Sequence, residues 1–168
     1  MLDMLEVYKN PWFKVIKQGQ YHFIEEENAD NGAVVLPFIA DNLLLIEVYR
    51  PAHQSYFLEA PRGYGKGSED SLMTALRELE EETGYLAPVD AFKRLGSVRP
   101  NTAILTSCID VYMVRLDKAM QISGQPSNKE THHLRYFPIN EISQMLTAGS
   151  IQDGFTISAL ALYWAQGL

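Results

Sequence analysis

The chain has 168 residues, of which 46% are hydrophobic, and its formal net charge at pH 7 is −7. This length predicts one domain over residues 1–168 with a core of its own, and the composition is typical of a globular protein. The acidic balance argues against nucleic acid as a partner, because a phosphate backbone would be repelled. The single cysteine, Cys108, excludes an internal disulfide and fits a reducing compartment.

Targeting and membrane signals are not recognised in this sequence. The first residues, MLDMLEVYKN, show no basic segment followed by an apolar one, so no signal peptide is expected. No apolar stretch is long enough to span a bilayer. We therefore expect a cytoplasmic protein without a membrane partner.

The first part of the chain predicts strands. Aromatic and β-branched residues cluster in EVYKN, WFKVIK and YHFIEE, and the turn signal ENADNG follows. The apolar runs AVVLPFI and LLLIEVY, separated by ADN, predict a buried hairpin, and SYFLEA predicts a further short strand. Residues 1–30 hold more aromatic surface than a small element readily buries, which favours a homodimer interface there. The same aromatic side chains could instead stack on a nucleobase.

A glycine-containing loop, PRGYGKGSED, precedes the clearest helix signal. Leu72, Ala75, Leu76 and Leu79 recur at helical spacing and form one apolar stripe. Gly84 follows this stripe directly, which predicts the C-terminal end of the helix.

The second half of the chain alternates strands and helices. AFKRLGSV, ILTSCIDVYMVRL and HHLRYFPI predict strands, whereas the polar stretch DKAMQISGQPSNKE predicts a loop. NEISQML and DGFTISALALYWAQ predict helices, the second of which should bury Phe155, Leu160, Ala161 and Trp164. The order of elements predicts an α+β domain with a mixed sheet covered by helices.

Carboxylates crowd the central helix, where four glutamates occupy the five positions from Glu78 to Glu82. Glu78, Glu81 and Glu82 share one helix face, while Glu80 points elsewhere. Three carboxylates after a glycine-rich loop suit Mg²⁺ or Mn²⁺, whose coordination a phosphate substrate can complete. The helix pattern on its own favours the alternative, a solvated charged face with no partner.

The residues from Gly63 to Tyr85 carry a known motif. Gly63, Glu69, the run Arg77-Glu78-Leu79-x-Glu81-Glu82 and Gly84 followed by an apolar residue match every fixed position of the Nudix box. The chain therefore resembles the Nudix hydrolase superfamily. This resemblance implies a mixed β-sheet sandwiched between α-helices and a metal-dependent hydrolase. It also implies that Arg77 and Glu69 join loop and helix by ion pairing.

The resemblance assigns the metal site as well. It implies Glu78 and Glu82 as the main metal ligands, with Glu81 beside them, and Mg²⁺ as the metal with Mn²⁺ as a substitute. Metal held in this way would neutralise a diphosphate and lower the pKa of a bound water that attacks phosphorus.

The approach to the box, EVYRPAHQSYFLEAPRG, is similar to that of ADP-ribose pyrophosphatases. This likeness implies a nucleoside diphosphate substrate, with ADP-ribose cleaved to AMP and ribose 5-phosphate. It implies Arg50, Arg62 and Pro100 as substrate-binding residues and Ala60 as the donor of a backbone carbonyl to metal. Arg50 is equally well explained as a solvated arginine at a strand end.

The sequence departs from the family pattern at Ser68, where glycine is usual, and from the subfamily pattern at Asn101, where a glycine or a similar small residue usually follows the proline. Two alternatives therefore stay open. One is a Nudix hydrolase of another nucleotide sugar or a dinucleotide, and the other is a non-catalytic sensor of ADP-ribose-like ligands.

The subfamily also places a carboxylate on a late loop, where this chain has Glu130 within SNKETHHLRYF. Glu130 and Glu81 are accordingly the implied catalytic residues. Spacing alone favours an ordinary exposed loop glutamate at position 130.

Overall fold

The computed structural model describes residues 3–117, 120 and 131–167, apart from the side chains of residues 131 and 132. The strands are β1 (Met4–Lys9), β2 (Phe13–Gln18), β3 (Tyr21–Glu26), β4 (Ala33–Ile39), β5 (Asn42–Arg50), β6 (Ser55–Glu59), β7 (Arg62–Gly63), β8 (Phe92–Val98), β9 (Ile109–Leu116) and β10 (Thr131–Pro138). The α-helices of the described residues are α1 (Ser71–Thr83), α2 (Ile142–Thr147) and α3 (Gly154–Ala165).

Over the described residues, the main sheet has seven strands and is mixed. Its central path runs β10-β5-β4-β9-β8, with β6 paired to β5 and β7 paired to β4. Strand β4 is antiparallel to β5 and parallel to β9. The predicted buried hairpin of β4 and β5 is therefore confirmed, and β4 lies in the middle of the sheet.

The two faces of the sheet bury different helices because side chains alternate along a strand. From β4, Ala33 and Val35 pack in one cluster with Leu79 of α1. Val34 and Leu36 point the other way and join a second cluster that contains Leu160 of α3. The predicted α+β fold, a mixed sheet sandwiched between helices, is confirmed.

Helix α1 begins and ends at residues with clear capping chemistry. The carboxylate of Asp70 accepts a hydrogen bond from the backbone N–H of Met73 at 2.8 Å, which satisfies a free donor of the first turn. At the other end Gly84 has φ of 72°, and its N–H donates to the carbonyl of Glu80. Glycine adopts this left-handed conformation without strain, so the predicted stop at Gly84 is confirmed.

The N-terminal strands form a second sheet of three antiparallel strands in the order β1-β2-β3. It joins the main body through Ile24 of β3. The Ile24 N–H donates to the carbonyl of Ile104 at 2.7 Å, and the Thr106 N–H donates to the carbonyl of Ile24 at 3.1 Å. Every residue of β1 is exposed.

Some predicted details are wrong. The strand predicted over ILTSCIDVYMVRL begins only at Ile109, because the preceding residues turn and the Leu105 N–H donates to the carbonyl of Asn101 at 2.8 Å. In α3, Ala161 is exposed and Trp164 is 38% exposed, although both were predicted to be buried. The helix is rotated so that Thr156, Ala159, Leu160 and Tyr163 face the core.

Within the described ranges, no helix is long and apolar enough to cross a membrane. Of the predicted loop DKAMQISGQPSNKE, only residues 117 and 120 belong to the described part of the chain.

Candidate active site

The two glutamates predicted as main ligands, Glu78 and Glu82, lie buried against the backbone of β7. Each of the two residues is 7% exposed. The backbone N–H of Arg62 donates to Oε2 of Glu82 at 2.9 Å. A Cβ added at Gly63 would overlap the carboxylate of Glu78, so a larger residue there would displace that side chain. Glycine at position 63 therefore leaves room for the Glu78 carboxylate against the strand.

Burial makes these two carboxylates unfavourable as a pair of free anions. Burial and the neighbouring charge of Glu78 together raise the pKa of Glu82 to about 8, although the backbone hydrogen bond from Arg62 opposes this change. Burial also raises the pKa of Glu78, although the hydrogen bond and charge of Arg77 oppose this change. A cation beside the two oxygens would remove the repulsion and favour their ionised forms.

Arg77 joins the glycine-containing loop to the helix. Its Nε donates to Oε1 of Glu69 at 3.0 Å, and its Nη2 donates to the backbone carbonyl of Tyr64 at 2.8 Å. Its Nη1 donates to Glu78 at 2.5 Å and to Glu81 at 3.1 Å. The predicted ion pairing of Arg77 with Glu69 is confirmed, and the same guanidinium also holds two glutamates of the box.

Glu81 is placed differently from its two neighbours on the helix face. Its carboxylate is half-exposed and accepts a hydrogen bond from Nζ of Lys66 at 3.0 Å. As a result, no three acidic, histidine or cysteine side chains of the described residues come together as a metal-binding group. The ion pair of Glu81 with Lys66 is solvent-exposed and weak, so it is readily exchanged.

The donor set nevertheless fits a divalent cation by its chemistry. Glu78 and Glu82 are adjacent hard-oxygen donors in a water-poor setting, and such ions are bound through one or two carboxylates together with substrate phosphates. Glu81 could join them on leaving Lys66.

A pocket of about 440 Å³ opens beside β7, and Arg62 connects it to the box. It lies between the β5–β6 hairpin and the N-terminus of α3. Its lining residues are Arg50, Ala52, His53, Phe57, Glu59, Arg62, Gln152, Asp153 and Gly154. The backbone of Arg62 contacts Glu82 while its side chain lines the pocket. A ligand in this pocket would therefore lie next to the box glutamates.

The charged groups of the pocket are held in a network around Glu59. Arg50 donates to both oxygens of Glu59, at 2.7 Å and 2.5 Å, and Nη2 of Arg62 donates to it at 3.0 Å. Burial would raise the pKa of Glu59, but the hydrogen bonds and charges of Arg50 and Arg62 outweigh it and leave that pKa lowered. Glu59 thus stays ionised and fixes both guanidinium groups.

Arg62 has further contacts on α3. Its guanidinium lies 4.4 Å from the ring centroid of Phe155, and its Nη2 lies 3.6 Å from Oδ1 of Asp153. The sequence interpretation missed Glu59 and Asp153. The stretch LEAPRG contains Glu59 three residues before Arg62, which is the signal that could have found it.

The other predicted residues are less closely associated with the box. Ala60 is fully buried, and its N–H donates to Oγ1 of Thr156 at 2.8 Å. The backbone that contacts Glu82 and Glu78 belongs instead to Arg62 and Gly63. The metal-binding role of the Ala60 carbonyl stays a prediction.

Pro100 follows β8 and does not line the 440 Å³ pocket. The residues after it line a second pocket of about 330 Å³. The lining consists of Gln18, Tyr21, Phe23 and residues 102–106. Two of the N-terminal aromatic residues therefore face this second pocket. Glu130 lies outside the described residues, so its catalytic role stays a prediction.

The fold and the site together define a class of protein: an α+β domain in which a glycine-containing loop and a glutamate-rich helix form one site beside a mixed sheet. The family model described as NUDIX domain matches residues 30–157 of the chain. The chain belongs to the Nudix family and is a Nudix pyrophosphohydrolase. The resemblance seen in the sequence is confirmed. Nudix enzymes generally use divalent metals.

Several characterised proteins are similar to this chain. "CMP-5'-(N-acetyl-N-hydroxy-3-aminopropyl)phosphonate hydrolase" of Streptomyces rubellomurinus is 27% identical over 85% of this chain and 67% of its own length. "ADP-sugar pyrophosphatase" of Mus musculus is 29% identical over 70% of this chain and 55% of its own length. "Methanol dehydrogenase activator" of Bacillus methanolicus is 30% identical over 77% of this chain and 70% of its own length.

A solved structure of an ADP compounds hydrolase shares the fold. The TM-score is 0.78, and the match covers 99% of this chain and 93% of that chain at 20% identity. The chain spans little more than half the length of the mouse relative, so the activity of a whole relative is not carried over directly.

Proposed function

We propose that this protein hydrolyses the diphosphate bond of a nucleoside diphosphate joined to another moiety, and that ADP-ribose is cleaved to AMP and ribose 5-phosphate. The observation that carries the proposal is the juxtaposition of two buried carboxylates, Glu78 and Glu82, with a pocket that contains two arginines. Arg62 belongs to both places, since its backbone contacts Glu82 and its side chain lines the pocket. A diphosphate that carries two organic groups would be contacted by metal at the box and by guanidinium groups in the pocket.

In the proposed mechanism Glu78 and Glu82, joined by Glu81, would hold Mg²⁺, for which Mn²⁺ would substitute. Bound metal supplies charge neutralisation of the diphosphate and an acidified water. Arg50 and Arg62 stabilise negative charge on the non-bridging oxygens, since a guanidinium presents donors suited to phosphate. Glu59 fixes both guanidinium groups before substrate arrives, which lowers the cost of ordering them. Glu130 or Glu81 accepts the proton of the attacking water.

The relatives support an adenosine diphosphate compound and also a second candidate. The mouse relative's name specifies an ADP-sugar, and the structural neighbour's title specifies ADP compounds. The Streptomyces relative's name specifies a CMP-linked phosphonate. All of these substrates share a nucleoside monophosphate joined through phosphorus to a second group. A cytidine compound is therefore the alternative that the comparisons favour.

The experiment is a substrate panel with Mg²⁺, read by chromatography of nucleotide and phosphate products. It contains ADP-ribose, other nucleoside diphosphate sugars, dinucleotide polyphosphates, nucleoside triphosphates and a CMP-linked compound. We expect ADP-ribose to give AMP and ribose 5-phosphate, with loss of activity on exhaustive chelation. A preference for triphosphates with release of pyrophosphate would contradict the proposed substrate class, and activity that survives chelation would contradict the metal requirement.

A further inference from the structure

Tyr64 occupies a position that the box motif leaves unspecified, directly after Gly63, and its backbone carries one of the bonds that hold Arg77. The Tyr64 carbonyl accepts a hydrogen bond from Nη2 of Arg77 at 2.8 Å. The other donors of Arg77 point to Glu69, Glu78 and Glu81. The direction of this guanidinium, and with it the placement of two box carboxylates, thus depends on where the Tyr64 backbone lies.

The side chain of Tyr64 is anchored away from the box. Its hydroxyl donates to Oε1 of Glu26 on β3 at 2.6 Å. Its ring packs so closely on Gly32 that a Cβ there would lie 3.1 Å from Cδ1 of Tyr64. Burial and the hydrogen bond to Glu26 raise the pKa of Tyr64, so the phenol remains protonated and donates throughout the neutral range.

Glu26 is itself fixed from the opposite side. Its Oε2 accepts a hydrogen bond from the hydroxyl of Ser107 at 2.9 Å, and the Ser107 residue is 1% exposed. The carboxylate therefore connects the N-terminal sheet to the start of β9 and to the loop of the box. Hydrogen bonds to a charged acceptor are the stronger kind, which suits a rigid connection.

We propose that Tyr64 and Glu26 are positioning residues of the active site, which fix the Tyr64 carbonyl so that Arg77 holds Glu78 and Glu81 in place for a divalent cation. The inference rests on the proposed function, because it requires metal at the box glutamates. It adds a contribution from the N-terminal sheet, which precedes residue 30, where the family match begins. Neither residue contacts the reacting atoms in this assignment.

The test measures Mn²⁺ affinity by calorimetry alongside the kcat and KM for ADP-ribose. Tyr64→Phe keeps the ring on Gly32 and removes only the hydroxyl. We expect the Mn²⁺ affinity to fall about tenfold, the size typical of residues that orient metal ligands, with kcat reduced more than KM is raised. Glu26→Gln, which offers a neutral acceptor, should change affinity in the same direction by a smaller factor.

Ser107→Ala is the matched control. It removes the hydrogen bond to Oε2 of Glu26 and leaves in place the hydrogen bond from Tyr64 to Oε1. We expect a lower melting temperature and a Mn²⁺ affinity within about twofold of the wild type.

An affinity of Tyr64→Phe within about twofold of the wild type would overturn the proposal, and so would an equal loss in Ser107→Ala, which would indicate general loosening. If Tyr64→Phe does not fold, Glu26→Gln decides by the same criteria. Failure of the proposed function is distinguishable, since the wild-type protein would then bind no Mn²⁺ or leave ADP-ribose intact. If the wild type is active and Tyr64→Phe has the same Mn²⁺ affinity and kcat, only the positioning role is contradicted.

Discussion

Glu82 lies in a position that is unfavourable for its ionised form. Its carboxylate is buried beside Glu78 and accepts a hydrogen bond from the backbone N–H of Arg62. A folded-state pKa of about 8, above the ordinary value, means that protonation stabilises the metal-free fold. This contribution to the stability of the fold is complete below the ordinary carboxyl pKa, and it is lost as the pH rises through the pKa of the folded state. The residue therefore suits a bound cation better than it suits the empty fold.

Glu82→Gln should separate function from stability. The amide keeps the side-chain volume but removes the ligand charge, and we expect turnover at saturating Mg²⁺ to fall by roughly a hundredfold or more, about 3 kcal/mol of barrier. The metal-free variant should be at least as stable as the wild type at pH 8, because it buries no charge. Steady-state kinetics and thermal denaturation measure the two effects.

The matched control is Glu80→Gln, on the exposed side of the same helix. It should leave turnover unchanged. Near-normal turnover in Glu82→Gln would contradict the assignment of this residue as a direct ligand.

Glu130 offers a second residue-level prediction, which follows from the sequence alone. If this loop carboxylate acts only when substrate is bound, Glu130→Gln should depress kcat more than it raises KM, because the interaction is made mainly in the transition state. The loss should be smaller than in Glu82→Gln, since the box glutamates still bind metal. Michaelis–Menten kinetics on ADP-ribose measure it, and an unchanged kcat would transfer the role of base to Glu81.

At the level of elements, most strands and helices could be predicted from the sequence, because each is specified by residues close together along the chain. The apolar runs of β4 and β5 and the spacing of Leu72, Ala75 and Leu79 each specify an element without reference to the rest of the chain. The motif likewise gave Glu78 and Glu82 as a pair.

The features that could not be predicted from the sequence depend on contacts between residues far apart along the chain. Helical spacing placed the glutamates away from the apolar stripe, yet Glu78 and Glu82 are buried because Gly63 lets β7 approach. Helix α3 is apolar on several sides, so the spacing of its apolar residues does not show which side faces the core. For this reason Trp164 was wrongly predicted to be buried. The pairing of Ile24 with residues 104–106 joins segments far apart in the chain and leaves no local signal.

The start of α1 is held to the sheet by Asp110 of β9, and this connection should depend on pH. Its Oδ2 accepts from the hydroxyl of Ser71 at 2.7 Å, and its Oδ1 accepts from Arg94 at 2.7 Å. Burial would raise the pKa of Asp110, but these bonds outweigh it and leave the pKa lowered. A lowered folded-state pKa contributes stability above the ordinary carboxyl value, and this contribution is lost as pH falls through the folded value.

Asp110→Asn should therefore lower the free energy of unfolding at pH 7 by about 1 to 2 kcal/mol. The difference from the wild type should shrink as the pH falls from about 4, where the unfolded carboxyl binds a proton, through the lower pKa of the folded state. Urea denaturation at several pH values measures this difference. Asp90→Asn, at an exposed position, should show little change at any pH, and a pH-independent deficit in Asp110→Asn would contradict the electrostatic explanation.

At the scale of the whole molecule, the N-terminal sheet exposes several large apolar side chains. Its exposed apolar side chains include Met4 at 66%, Leu5 at 60% and Trp12 at 72%. Strand β1 is an edge strand with every residue exposed, so it presents apolar side chains together with unpaired backbone groups. Surfaces of this kind on a folded protein mark interaction sites.

We expect a second copy of the same chain to cover this surface, so that the protein is a homodimer in solution. Leu5→Lys places a charge on the exposed strand β1 and should shift the molecular mass measured by light scattering from dimer to monomer at micromolar concentration. Leu86→Lys alters a similarly exposed leucine, 46% exposed and outside the N-terminal sheet, and should leave the mass unchanged. Because Glu26 of the same sheet contacts Tyr64, loss of the dimer should also lower kcat for ADP-ribose in Leu5→Lys but not in Leu86→Lys. A wild-type protein that scatters as a monomer at micromolar concentration would contradict this prediction.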